Sequence, residues 1–389
     1  MAPADGPVMD GVITPSGSEG VAAALAAAAA SGTPVRIRGG ASKQTWGNAV
    51  TSAVTELRLD GLDRTLEHNV GDLTAAFQAG APLLRIQREL AGSGQRIALD
   101  PPLGVGGAQT ATLGGVLATA DSGPLRHRYG GPRDLILGIT VALSDGTISR
   151  AGGKVIKNVA GYDLAKLFTG SYGTLGVILA AHMRLHPLPE ATATALAACD
   201  DAATLAAGVQ RVAAAPLELD CLDIAWRGGR GGILAQVAGA QASRRAERVA
   251  ALMHSFGLEH VDVTSDDAPL WARQRAGQRS AQRALVRVAS RPSRLPELLQ
   301  ATDDAGGTLV GRAALGVSYV ELDPDAVGGF LGALPDGAVG VLGDAPPELR
   351  AALDPWASSD GPLLQLMRRV KDRFDPAAVC NPGVFVGGL

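Results

Sequence analysis

The sequence predicts an α+β protein of two to three domains, and three observations carry that prediction. A chain of 389 residues has the length of roughly two to three independently buried cores. Its middle, from about 190 to 343, alternates strand-like runs with helical ones, the texture of an antiparallel sheet covered on one side by helices. Its first half carries glycine-rich stretches that match neither G-x-x-x-x-G-K-[ST] nor G-x-G-x-x-G. Any nucleotide site there needs a fold other than the P-loop or the Rossmann unit.

Composition narrows the functional classes. A formal net charge of −3 and a pI near 6.1 give no bulk electrostatic reason to expect nucleic acid or an anionic membrane as partner. Cys199, Cys221 and Cys380 lie far apart without a C-x-x-C pair, so a zinc knuckle, an iron–sulfur ligand set and a disulfide framework all lack support. That usage fits a reducing compartment. The apolar run Val21 to Ala30 has no basic segment before it and is far too short to span a bilayer. No other stretch reaches that length, so the chain is expected to be cytoplasmic, reaching a membrane only through partners.

In chain order, Gly11 to Thr14 reads as a strand and Ser18 to Ala30 as an Ala-rich helix, with Ser16 and Glu19 at capping-box spacing and Gly32 as its stop. Pro34 to Arg38 alternates as a strand and runs into Gly39, Gly40, Ala41, Ser42 and Lys43, a loop able to offer successive N–H groups to a pyrophosphate. Ser52 to Leu59 and Thr65 to Val70 read as strands and Leu83 to Ala91 as a helix. A second glycine-rich region, Ile97 to Gly123, contains Pro102, Thr112, Leu113, Gly114, Gly115, Ala118, Ser122 and Gly123. Arg126, His127, Arg128 and Arg133 follow as the densest basic cluster, either a solvated turn or a docking site for an acid substrate or partner. Leu135 to Leu143 and Thr147 to Arg150, joined at Asp145 and Gly146, read as a hairpin.

The stretch from Gly152 to Ile178 is the most unusual. Three of the five lysines (Lys154, Lys157, Lys166), two of the four tyrosines (Tyr162, Tyr172) and six glycines, including Gly161, Gly173 and Gly176, fall within it. In a chain that otherwise uses arginine, compact ammonium groups beside glycine-freed amides point to a bound, phosphate-bearing cofactor.

Beyond it, strands are expected at Ala191 to Ala198, Leu217 to Ala225, Gly232 to Val237, Leu285 to Ala289, Thr308 to Ala313 and Ser318 to Leu322. Helices are expected at Asp201 to Ala213, Ser243 to Ser255, near Ser293 to Ala301, at Asp325 to Leu331 and at Pro362 to Arg373. Asn381, one of four asparagines, stands before Pro382 as a turn residue or as a part of the site.

Residues Ile13 to Pro189 resemble the FAD-binding domain of the vanillyl-alcohol oxidase or p-cresol methylhydroxylase type, closest to the smaller FAD-binding subunits of bacterial glycolate oxidases. The resemblance is carried by Arg38 to Lys43, Asp100 to Pro102 with Thr112 to Gly115, Ser122 to Pro124, Arg128 to Gly130, Arg133 with Leu137 and Gly138, and above all Gly152 to Ile178. Val370 to Pro376 with Asn381 to Gly383 resembles that family's C-terminal signature.

The resemblance implies an FAD-binding domain of two α+β subdomains at 1–189, a short α+β cap with an antiparallel sheet at 190–345, and a segment at 346–389 returning to the first domain. It implies that the loops Gly39 to Lys43 and Thr112 to Gly115 hold the FAD pyrophosphate, with Lys43 or Arg38 to neutralise it and Pro102 also in the cofactor site, and that Ala118, Ser122 and Gly123 line the flavin or ribityl chain. Gly161, Tyr162, Asp163, Gly173, Thr174, Gly176, Val177, Ile178 and Asn381 complete the site. The first loop has no histidine for covalent attachment, so the FAD is expected to be non-covalent.

Function follows as an expectation: a flavoprotein subunit of a glycolate-oxidising or other 2-hydroxy-acid-oxidising complex, with a larger catalytic flavin subunit and an iron–sulfur subunit as partners. Arg126, Arg128 and Arg133 are candidate anion binders. No metal is expected, because the cap has only His254 and His260, and no catalytic base is evident. The alternatives are a self-contained FAD oxidoreductase acting on another alcohol or acid, and a flavin-stabilised scaffold.

Overall fold

The computed structural model describes residues 9–50, 53–153, 162–357 and 361–389. Lys154, Lys157, Asn158 and Gly161 lie outside them. The chain begins with a three-stranded parallel sheet, in the order β1 (Met9–Ile13), β3 (Val54–Arg58) and β2 (Val35–Arg38). Helix α1 (Gly17–Ser31) joins β1 to β2. Alanine favours the helix, and Val21, Leu25 and Ala28 recur on one face and are buried. Gly32 ends it in the left-handed region (φ 66°), its N–H reaching the carbonyls of Ala28 and Ala29. The expected capping box is not made. Ser16 occupies the N-cap position without a side-chain bond, and Gly17 enters the helix at φ 72°, away from the geometry that sets a hydroxyl over the first free N–H groups.

A second, antiparallel sheet follows. Its strands are β4 (Thr65–Asn69), β5 (Thr74–Gln78), β7 (Ile136–Ala142), β8 (Ile148–Gly152) and β9 (Val177–Arg184), in the order β4-β5-β9-β7-β8. The β7–β8 hairpin turns at Gly146 with φ 83°, as the Asp-Gly pair predicts. Strand β5 is absent from the sequence reading. All five of its residues are buried, so it shows no alternation, and Thr-Ala-Ala-Phe-Gln has little β-branched character to betray it. Helices α2 (Leu83–Ala91), α3 (Leu113–Thr119) and α6 (Leu164–Phe168) pack their apolar residues on this sheet. Two single-turn helices, α4 (Arg126–Tyr129) and α5 (Pro132–Leu135), precede β7, and the pair β6 (Gln95–Arg96) with β10 (His186–Pro187) closes the unit.

Residues 192–342 build an eight-stranded antiparallel sheet. Its strands are β11 (Thr192–Cys199), β12 (Cys221–Arg227), β13 (Arg230–Ala238), β14 (Glu259–Thr264), β15 (Ala284–Ala289), β16 (Thr308–Arg312), β17 (Val317–Leu322) and β18 (Val339–Leu342). They lie in the order β14-β11-β13-β12-β16-β17-β15-β18. The two-residue period sorts the faces. Leu222, Ile224, Val286, Val288, Leu309 and Val320 point toward α7 (Ala202–Ala214), α8 (Ala242–Ser255), α10 (Leu295–Asp304) and α11 (Val327–Gly332), and form the largest core. The intervening residues Asp223, Leu285, Arg287, Val310, Arg312 and Tyr319 take the other face. Helix α9 (Ala268–Ala276) and β14 are not anticipated by the sequence pattern.

The tail, with α12 (Pro347–Ala352) and α13 (Pro362–Phe374), returns to the first sheet. Val35 N–H donates to Val379 O at 2.7 Å, and Asn381 N–H donates to Val35 O at 2.9 Å, so the tail runs parallel beside β2. Lys371 is buried on α13 and donates to Asp375, to Thr174 O at 2.7 Å and to Cys380 O at 3.0 Å. Asp375 in turn accepts from the N–H groups of Val379 and Cys380. A buried ion pair with its remaining valences filled is costly to break on one side only, because the surviving charge stays in the interior. Asp375→Ala is therefore expected to lower stability by about 3 kcal/mol in denaturant titrations. A loss no greater than that of an exposed α13 variant such as Asp372→Ala would show that the tail is anchored elsewhere.

Candidate functional site

The first and second glycine-rich loops meet at the end of β2, and their contact explains the glycines. A Cβ on Gly40 would stand 1.5 Å from Thr110 O, and one on Gly39 2.4 Å from Thr112 Oγ1. Ala41 follows at φ 56°. In this conformation the N–H groups of Gly40, Ala41, Ser42 and Lys43 have no acceptor among the described residues. Four successive free donors beside a cleft are a fitting cradle for a pyrophosphate.

The second loop works differently. The N–H groups of Leu113 and Gly114 donate to Ala81 O and Ala79 O, and that of Gly115 donates to Thr112 Oγ1. The expectation that Thr112 to Gly115 offers its backbone donors to phosphate is corrected for three of them: those of Leu113 and Gly114 dock α3 on the sheet and that of Gly115 is taken by the Thr112 cap. Gly114 is required by this close approach, since its Cβ would lie 2.7 Å from that of Ala79.

A cleft of about 100 Å³ opens between the loops. Gly39, Gly40, Ala41, Ser42, Lys43, Thr112, Gly114, Gly115 and Ala118 line one side, and Gly173, Gly176, Ile178 and Asn381 the other. Asn381 is more than a turn residue. Its Oδ1 accepts from Ile37 N–H at 2.8 Å and its Nδ2 donates to Tyr172 O at 2.7 Å, so one side chain ties β2, the Tyr172 turn and the tail together. Lys43 is buried with Nζ 3.2 Å from Asp121 Oδ2. Burial pulls its pKa down, and Asp121 opposes that pull.

Other expected residues stand apart from the cleft. Arg38 turns to Glu56, donating to both carboxylate oxygens at 3.0 and 2.9 Å. Leu113 and Val177 are core, Pro102 is buried, and Thr174 spends its hydroxyl on Ser171 O at 2.7 Å. Tyr162 is 92% exposed, and Asp163 pairs with Lys166 at 2.9 Å. Gly123 packs on Asp100, where a Cβ would meet Asp100 O at 1.8 Å, and Ser122 Oγ accepts from Arg126 at 3.2 Å.

The basic cluster is divided among three surroundings. Arg128 pairs with Asp220 at 3.1 Å, Arg133 is exposed, and Arg126 turns inward.

A second chamber, about 210 Å³, shares Trp46, Thr119 and Tyr172 with the cleft. Its far wall is the polar face of the large sheet, with Arg287 and Tyr319, and the tail residues Trp356 and Phe385 close it. Tyr172 stacks on Phe385 and meets Trp356 edge-on, and burial pushes its phenol well above the usual pKa. Sequence reasoning missed this wall, because single arginines on alternating strands carry no motif. His254 and His260 are both exposed, and no group of three or more candidate metal ligands occurs among the described residues.

Comparison with known families decides the class. The family described as FAD binding domain matches residues 9–152, and the C-terminal domain of FAD linked oxidases matches 357–385. The chain thus carries an FAD-binding domain and the C-terminal segment of FAD linked oxidases. Its cofactor is accordingly FAD. It is 34% identical over 218 residues to the glycolate oxidase subunit GlcD of Bacillus subtilis, covering 55% of this chain and 45% of that protein. It is 37% identical over 161 residues to the glycolate oxidase subunit GlcE of Escherichia coli, covering 41% and 44%. The matched segments thus span less than half of either relative. An alkyldihydroxyacetonephosphate synthase structure superposes with a TM-score of 0.67 at 16% identity, over 95% of this chain and 76% of that one, which shows a shared fold.

Two outcomes test this site. Gly40→Val and Gly114→Val are expected to lose bound flavin, measured as visible absorbance per protein, whereas Gly361→Ala, with open space around it, keeps it; full flavin content in both valine variants would remove the loop assignment. The second concerns Asp100, whose carboxyl is pushed up to about 6, chiefly by burial and against the pull of Arg275. An acid with a raised folded pKa binds more protons folded than unfolded, so its stabilising contribution is present at low pH and lost as pH rises from about 4 to 6. Asp100→Asn should flatten that segment of the stability profile; an unchanged slope would place the titration elsewhere.

Proposed function

We propose that this chain is the FAD-binding subunit of a complex that oxidises 2-hydroxy acids such as glycolate, holding its flavin non-covalently. The observation that carries the reading is the continuity of the phosphate cradle at Gly40 to Lys43 with a chamber walled by Arg287 and Tyr319. A cofactor seated in the one would present its ring toward the other. The resemblance to two glycolate oxidase subunits supports the substrate class.

The reading divides the chain into an FAD-binding domain at 1–189, a cap at 190–345 and a returning segment at 346–389. Gly39 to Lys43 bind the pyrophosphate, the glycines at 173 and 176 let the backbone approach the cofactor, and Asn381 fixes the geometry of both sides. Bound flavin supplies a two-electron acceptor for the hydride of an alcohol carbon. This chain's own residues exclude water with the Tyr172, Trp356 and Phe385 cluster and hold the acid group with arginine. The first loop reads Ala41, Ser42, Lys43, so no side chain there offers a covalent link.

A larger catalytic flavin subunit and an iron–sulfur subunit are the partners proposed. The complex would be cytoplasmic, reaching a membrane through those partners; no helix among the described residues is long and apolar enough to cross one.

The test is the anaerobic visible spectrum of the purified chain before and after glycolate or D-lactate, followed by acid precipitation. Bleaching of the 450 nm region, on the order of that seen with dithionite, assigns substrate oxidation to this chain. A spectrum unchanged both alone and with partner subunits present sinks the reading. Colour in the protein pellet overturns non-covalent binding.

A further inference from the structure

A groove of about 580 Å³ runs along the seam between the FAD-binding half and the large sheet, and none of its lining residues belongs to the cofactor cleft or the chamber. Its floor follows from register. Strands β6 and β10 pair antiparallel with His186 directly opposite Arg96, so both side chains rise on one face. Tyr129, from α4, packs on both: the His186 ring meets it edge-on at 4.6 Å between centroids, and the Arg96 guanidinium lies 5.4 Å from its centre. Arg128 stands 5.8 Å from the same ring, and Arg184, the last residue of β9, joins the lining.

Four arginines line this groove against three carboxylates, and the carboxylates are unevenly placed. Asp220 is buried and serves three groups: Arg128 at 3.1 Å, the Tyr129 hydroxyl at 3.3 Å and Arg96 at 3.5 Å. Asp134 accepts from Gly131 N–H at 2.8 Å. The Glu218 side chain is 76% exposed, with Arg245 and Arg128 3.7 and 3.8 Å away, so water screens most of its charge. Arg245 meanwhile donates to Ala238 O and Glu218 O.

Donors are left over on three residues. Arg184 is exposed and makes no hydrogen bond or ion pair among the described residues, and neither ring nitrogen of His186 has a hydrogen-bond partner there. Arg96 Nε is buried without an acceptor. Burial, followed by the charges of Arg184, Arg96 and Arg128, pushes the His186 pKa down to about 4. At neutral pH the imidazole is therefore an uncharged N–H donor in a positive field.

The geometry points to a second ligand site, in which Arg96, Arg184 and His186 hold a phosphate group, free or carried on a small molecule, with Arg128 at its edge. Donors from separate strands call for acceptor oxygens in more than one plane. A carboxylate offers two coplanar oxygens, whereas a phosphate offers at least three in a tetrahedral array and a second negative charge. The groove has the size of small-molecule sites, about 300–1,000 Å³, so an organic body has room beside the phosphate. Asp220 and Arg245 lie across the seam from β6 and β10, so an occupant also ties the two halves together.

The probes are inorganic phosphate, ribose 5-phosphate and acetate, titrated calorimetrically into the flavin-loaded full chain at about 0.15 M salt, where distant surface charges are screened. Ribose 5-phosphate is expected to bind at least about tenfold more tightly than acetate, the ratio that one further charge-assisted contact supplies. Arg184→Ala, at an exposed position that the fold does not need, is expected to weaken it about tenfold, and Arg96→Gln at least as much. Arg150→Ala, exposed on β8 and outside the lining, should leave it unchanged. In proton NMR, bound phosphate should lift the His186 ring from about 4 to about 5 or higher, because a neighbouring anion favours the protonated imidazole.

Tighter binding of ribose 5-phosphate than of inorganic phosphate assigns the site to a phosphorylated small molecule, and equal binding assigns it to free phosphate. Acetate binding as tightly as either, wild-type affinity in Arg184→Ala, or a His186 titration that phosphate does not move overturns the proposal. An equal loss in Arg150→Ala reduces the effect to bulk charge and overturns it too. Bleaching of the flavin by glycolate is read separately, so the phosphate site and the oxidoreductase reading stand or fall independently.

Discussion

The buried pair between Arg279 and Asp344 holds the large sheet over the cofactor cleft. Arg279 Nε and Nη2 donate to the two Asp344 oxygens at 2.7 and 2.9 Å, and Nη2 also reaches Ser42 O at 2.8 Å. Asp344 accepts in addition from Trp46 Nε1 at 2.9 Å. Two residues that follow α9 and β18 are thereby bonded to the loop that carries the free N–H groups. Withdrawing both charges from water is unfavourable in itself, and the fork geometry with its extra acceptors offsets that cost only while every partner stays in place. The network consequently fixes position: a shift of the sheet by one bond length would leave a buried charge unpaired. Both the shape of the first loop and the distance to the chamber wall depend on it.

The tail has the same logic on the opposite side of the cleft. Lys371 and Asp375 spend their charges on carbonyls and N–H groups of the segment that lies beside β2, and Asn381 then completes a three-way junction. A long-range contact of this kind, more than 340 residues apart in sequence for Ile37 and Asn381, closes a large loop whose entropy must be met by well-satisfied polar bonds. It brings Trp356 and Phe385 against Tyr172, so the aromatic closure of the chamber is a consequence of where the tail is pinned.

Much of the fold was legible because its signals are local. Leu83–Ala91 has the same limits in sequence and structure, the Asp145-Gly146 hairpin forms where its turn residues stand, and Asp201 caps α7 through Thr204 N–H at 2.6 Å. The glycines of the first loop were legible too, although their reason lies in a contact with Thr110 and Thr112. What stayed hidden is non-local. Strand β5, buried on both sides, has no period to read. Arg38, adjacent to the loop in sequence, is taken by Glu56 from the next strand. Arg126 and Arg128 are two positions apart, yet Arg126 turns inward to Ser122 while the exposed Arg128 pairs with Asp220, which no charge pattern could separate.

The large sheet shows why its chemistry escapes composition. A sheet covered by helices on one face ordinarily presents the other to water, where arginines and aspartates need no explanation. Here that second face is covered by the FAD-binding half, and the same alternation that keeps Leu222, Ile224 and Val320 in the apolar core puts Asp223, Tyr319 and Arg312 into a closed, low-dielectric space. Identical residues at identical spacing would be bland on an open sheet. Burial alone converts them into groups whose pairing has consequences, because a charged or polar group withdrawn from water is costly unless its neighbours satisfy it.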